Sequence, residues 1–96
     1  MIVSLNKDYE ATVNIGDYMI YIDPVWSMDD YELYGSLPIE YDIVVTDEEG
    51  NELESISLNA YIYGEPQEII IGNDEDNDTI FITHLDQNRF VISSMI

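Results

Sequence analysis

Ninety-six residues, 46% of them hydrophobic, carry 21 Asp and Glu against two Lys and Arg, a formal net charge of −19 at pH 7. That balance excludes direct binding to nucleic acid, whose affinity comes from Lys and Arg releasing counterions, and docking on anionic membranes. The apolar content excludes a disordered acidic tail, and the absence of cysteine excludes a disulfide framework, a thiolate metal site and a cysteine nucleophile.

The first ten residues already hold an apolar stretch, but it is far too short for a secretory signal, and Lys7 lies behind it. Tyr9, Ala11, Val13 and Ile15 alternate with Glu10, Thr12 and Asn14, the period of a half-buried strand. Gly16-Asp17 is a turn, and Tyr18 to Asp23 reads as the returning strand of a hairpin, ended by Pro24. Ser27 to Tyr34 is the one helix expected. Ser27 suits the N-cap, Asp29, Asp30 and Glu32 complement the positive end of the helix dipole, and Gly35 stops it.

Alternation resumes at residues 40–47, with Tyr41, Ile43 and Val45 against Glu40, Asp42 and Thr46. Asp47-Glu48-Glu49-Gly50-Asn51 forms a hairpin loop. The next strand is expected from Glu52 to Tyr63, with Ile56, Leu58, Ala60 and Ile62 on one face. After the turn at Gly64-Glu65-Pro66-Gln67, Glu68 to Ile71 is a short strand. Residues 73–78 are a polar loop, and residues 79–85 and 89–95 make a last hairpin. The fold expected is therefore a single domain, α+β or mainly β. It has an antiparallel sheet of about six or seven strands, rolled or sandwiched, and one short helix near residues 27–34. A domain this small buries little over ~60% of its unfolded surface, so dimerisation would add stability.

Little in the chain points to catalysis. His84 is the only histidine, and it alternates in phase with Ile80 and Ile82, as a core or edge residue would. There is no nucleophile elbow and no glycine-rich phosphate loop, so no enzyme activity and no cofactor are expected. Asp74, Asp76 and Asp78 have the one-three-five spacing of a calcium loop. Thr79 and Leu85, however, stand where such a loop needs Gly and a bidentate Glu.

What remains is the sign of the charge. No cationic side chain lies between Lys7 and Arg89, and all 21 acids fall inside that gap. Self-repulsion of this kind works against a compact state. A protein that fills the basic groove of a DNA-binding partner would turn it to use. Same-face carboxylates at i and i+2 on a strand stand about 6.6 Å apart, comparable with neighbouring phosphates along DNA. Glu40 with Asp42 and Glu52 with Glu54 form such pairs, and pairing of the two strands would make all four neighbours. The carboxylates assigned to partner contact begin with Asp29, Asp30 and Glu32. They continue through Glu40, Asp42, Asp47, Glu48, Glu49, Glu52 and Glu54 in the hairpin, then Glu65 and Glu68, and end with Asp74, Glu75, Asp76 and Asp78. Tyr31, Tyr34, Tyr61 and Tyr63 are candidates for an amphipathic contact surface.

A compact, cysteine-free, acidic, strand-rich chain that opens Met-Ile-Val-Ser-Leu-Asn-Lys-Asp-Tyr-Glu resembles the phage-encoded DNA mimics that disarm host nucleases. Among these it is most similar to the anti-restriction nuclease (Arn) group of T-even-type phages. The resemblance covers the whole chain and implies a homodimer in the host cytoplasm that inhibits a modification-dependent restriction endonuclease. It assigns no residue roles. An anti-CRISPR-type inhibitor of a nucleic-acid-guided nuclease, a ligand of a nucleoid protein, a calcium-binding module, an acidic structural subunit and a halophilic origin stay open as alternatives.

Overall fold

In the computed structural model, which describes residues 1–27, 37–72 and 77–94, the protein is a sandwich of two antiparallel sheets. The described residues form eight strands: β1 (Ile2–Ser4), β2 (Ala11–Ile15), β3 (Tyr18–Val25), β4 (Glu40–Thr46), β5 (Glu52–Asn59), β6 (Pro66–Gly72), β7 (Asn77–Asp86) and β8 (Arg89–Ser94). They form one four-stranded sheet in the order β2-β3-β4-β5 and another in the order β1-β8-β7-β6.

This corrects the expected architecture. There are eight strands in two sheets instead of six or seven in one, and no helix among the described residues. The helix expected near residues 27–34 falls, except for Ser27, outside the described residues. The strand expected to reach Tyr63 ends at Asn59. Beyond it the chain turns at Ala60, where Tyr61 N–H donates to the Asn59 side-chain oxygen at 2.8 Å, and Ile62 is left 48% exposed.

The alternation decides which face each strand buries. Ile20, Ile22, Tyr41, Ile43, Val45 and Leu58 come from the first sheet, and Val3, Ile69, Ile71, Ile80, Ile82, Phe90 and Ile92 from the second. Together they form one core. Each fully buried Ile contributes roughly 1.5–3 kcal/mol of transfer free energy. The ring of Tyr41 joins the layers, meeting Phe90 edge-on at 5.2 Å and His84 at 5.3 Å. Two turns are set by glycine: Gly16 (φ 57) lets β2 return as β3 after two residues, and Gly50 (φ 89) closes the β4–β5 loop.

Connectivity gives the sandwich, 47 × 26 × 20 Å overall, two distinct poles. At one, the β2–β3 turn and the β4–β5 loop lie side by side, with Asp17, Tyr18, Asp47, Glu48 and Glu49 lining a single depression. The hydroxyl of Tyr18 donates to the carboxylate of Asp78, which fastens β3 of one sheet to the start of β7 in the other. At the opposite pole, Leu5 N–H donates to the Asn88 carbonyl at 2.7 Å and Gly64 N–H to the His84 carbonyl at 2.8 Å. These bonds gather the β1–β2 loop, the β5–β6 connection and the β7–β8 turn.

Candidate functional site: an acidic pole

The β4–β5 loop owes its shape to one carboxylate. Asp47 accepts bonds from the backbone N–H groups of Glu49 and Asn51, each at 2.9 Å, and from the Asn51 amide at 3.0 Å. The Asn51 side chain first, then these backbone donors, hold the Asp47 carboxyl below its ordinary range. Asp47 is therefore spent on building the loop, and the loop in turn holds Glu48 and Glu49 exposed to solvent.

Glu52 and Glu54 follow at once on β5, opposite Thr46 and Val45, and a bulge between those two β4 residues shifts the register here. Asp17 lies across the depression, and Asp78 is tied in through Tyr18. Asp17, Asp47, Glu48, Glu49, Glu52, Glu54 and Asp78 thus share one pole, with no cation among the described residues there. The β6–β7 hairpin also ends at this pole, where Gly72 stands opposite Asn77.

Both cationic side chains, Lys7 and Arg89, sit at the far end. Arg89 pairs with Asp86 at 2.6 Å and holds its carboxyl below the usual range, while Lys7 lines a pocket with Asp8, Glu10 and Asp23. From Asp78 to Asp86, eight residues of β7 at about 3.3 Å each place the Arg89 ion pair some ~26 Å from the acidic pole. Screening at physiological salt removes any influence over that distance.

The other candidates are scattered. Half-buried Glu40 and exposed Asp42 are on the outer face of the first sheet, opposite Asn59 and Ser57 of β5, with Ser57 Oγ donating to Asp42 at 3.0 Å. The expected four-carboxylate ladder of Glu40, Asp42, Glu52 and Glu54 does not form, because the second pair lies on later rungs and in the opposite phase of β5. Glu68 is exposed on β6 opposite Phe81, and Glu65 precedes β6 at the far pole. Asp29, Asp30, Glu32, Asp74, Glu75 and Asp76 lie outside the described residues, as do Tyr31 and Tyr34. Tyr61 and Tyr63 are 57% and 44% exposed at the far pole.

Two further acids were not among the candidates, and of these Asp17 alone belongs to the acidic pole. Asp23 stands directly opposite Asp42 on β3, and its alternation with buried Ile20 and Ile22 would have placed it on the outer face. Asp17 reads in the sequence only as half of the Gly16-Asp17 turn.

His84 is in the core, 3% exposed, stacked on Phe90 at 4.5 Å and covered by Tyr63 at 4.7 Å. Neither ring nitrogen has a partner in hydrogen-bond geometry. Burial lowers its pKa, opposed by the smaller effect of the Asp86 backbone and carboxylate. A surface groove of about 660 Å³ lies at the same far pole, lined in part by Tyr63, Leu85, Asp86 and Arg89, and His84 is not among its lining residues. Among the described residues no group of three His, Cys, Asp or Glu gathers to hold a metal ion, and no helix is long and apolar enough to cross a membrane.

Comparison with protein-family models, with curated proteins and with solved structures finds no match for this chain.

Proposed function

We propose that the protein is a DNA mimic, an inhibitor that occupies the basic DNA-binding groove of a host nuclease, with a restriction endonuclease as the leading target. The observation that carries this reading is the acidic pole. Carboxylates distant in sequence converge there on strands of both sheets and a carboxylate-braced loop, with the Lys and Arg side chains at the other end of the molecule. Inhibition needs no chemistry. The carboxylates pair with Lys and Arg that otherwise hold phosphates, and the monopole speeds encounter in a salt-sensitive way.

A homodimer belongs to the same proposal. The outer face of the second sheet carries Ile2, Val91, Phe81 and Ile70, and its acids are Glu68 and the ion-paired Asp86. Two copies meeting on that face approach with the least repulsion and leave both acidic poles free.

The test is competition. A purified restriction endonuclease bound to fluorescently labelled DNA should release it on addition of the protein, with a midpoint that weakens as salt rises. The combined change Glu48→Gln, Glu49→Gln, Glu52→Gln and Glu54→Gln should abolish release without lowering the melting temperature. Failure to displace DNA from any of a panel of basic-groove nucleases at low salt would refute the reading, and undiminished activity of the quadruple variant would misplace the site.

A further inference from the structure

Strand β5 is an open edge. Among the described residues it pairs only with β4, so one row of its backbone donors and acceptors has no strand to bond. The phase of that row follows from a single contact. Ala60 N–H donates to the Ile39 carbonyl at 3.0 Å, and bonded residues alternate along an antiparallel pair. On the observed register, Tyr41 with Leu58 and Ile43 with Ile56 are then the bonded pairs. Asp42 with Ser57 and Val44 with Ser55 are the non-bonded ones, which agrees with the side-chain hydrogen bond between Ser57 and Asp42. The N–H and C=O groups of Ser55 and Ser57 therefore point away from β4, outward along the edge.

The other edges are blunted and this one is not. β1 has three residues and β2 five, while β6 begins with Pro66, which has no N–H to offer. β5 has eight residues, none of them Pro or Lys. Among the described residues its protection is charge alone: Glu52 and Glu54 on one face and Asp42 beside Ser57 on the other. Those carboxylates repel a second copy of this acidic chain, and the same carboxylates attract a strand of opposite sign.

We propose that the β5 edge accepts an extended, Lys- or Arg-bearing segment of a partner protein as an added antiparallel strand. Backbone bonds to Ser55 and Ser57 would supply affinity, and alternate cations facing Glu52 and Glu54 would supply selectivity. The inference rests on the proposed function only for the sign of the occupant, since its geometry comes from the backbone.

The probe is a short blocked peptide alternating Thr and Lys, titrated into the isotope-labelled protein at low salt. Amide shifts confined to β5, with slowed exchange of the Ser55 and Ser57 N–H, are expected. N-methylation of alternate peptide residues on the bonding side should weaken binding about tenfold while keeping every charge. Ser55→Pro should do the same with an unchanged melting temperature, because the N–H it removes bonds nothing within the sheet. If that variant fails to fold, the N-methylated peptide on the unaltered protein decides alone. Equal binding of the N-methylated peptide overturns strand addition, as do shifts spread over the acidic pole or no binding of the Lys peptide. None of these outcomes touches the DNA-competition result, so the two readings fail separately.

Discussion

Asp23 and Asp42 stand directly opposite each other on β3 and β4, in the middle strands of the first sheet, and among the described residues only the Ser57 hydroxyl donates to the pair. Like charges so placed oppose the strand pairing that holds them. Asp23→Asn should therefore raise stability by about 0.2–1 kcal/mol, read as a shift in the urea midpoint. The gain should be largest near ~0.01 M salt and vanish toward ~1 M, where the Debye length falls to about 3 Å. A salt-independent gain would mean that local packing, and not repulsion, is responsible.

The hydrogen bond from Tyr18 to Asp78 makes one pole out of two sequence clusters sixty residues apart. Removing the hydroxyl by Tyr18→Phe leaves the half-buried ring in place and should cost about 1.5–3 kcal/mol, the range for a bond to a charged acceptor. Hydrogen exchange should quicken at the start of β7 more than in β8. Tyr21→Phe, on the outer face opposite Thr12 and Val44, serves as the control and should change little.

The β2–β3 and β4–β5 hairpins are legible in the sequence because their turns carry Gly16 and Gly50 between strict alternations. Alternation reports which face of a strand is buried, but not which strands share a sheet, so the division into two layers was hidden. β1 is too short to show a period. The acidic loops could be read from composition. Their meeting could not, because it depends on the Tyr18–Asp78 contact and on a bulge between Val45 and Thr46 that sets Glu52 and Glu54 apart from Glu40 and Asp42. The phase of His84 with Ile80 and Ile82 is likewise legible, whereas the lack of a hydrogen-bond partner at either ring nitrogen among the described residues is not.

Tyr41 gives the fold an alkaline limit. Burial first, then the nearby Tyr9 and Tyr63, push its pKa up to about 12. An unfolded chain releases that proton near ~10. Stability from this residue is complete below ~10 and is lost as pH rises toward 12, because the unfolded state then ionises while the folded state does not. Unfolding followed by circular dichroism should show the decline, and Tyr41→Phe should shift it to higher pH. An unchanged decline would assign it to the more exposed tyrosines.

His84 sets the acid side. Burial lowers its pKa below the usual 6.5, so above ~6.5 the ring is neutral in both states and costs nothing in protonation. As pH falls below that value the unfolded chain takes up a proton that the folded chain declines, and stability drops until the folded pKa is reached. The groups facing the ring are Tyr41 from β4, Tyr63 from the β5–β6 connection, Phe90 from β8 and, along its own strand, Asp86. Only Asp86 is charged in this window, and it opposes the shift. Urea midpoints measured from pH ~7 down to ~5 should therefore fall in the native protein. His84→Phe, which keeps a flat ring against Phe90 and removes two unpartnered nitrogens, should flatten that slope and gain roughly 1 kcal/mol at neutral pH. A slope that survives in His84→Phe would place the titrating group elsewhere.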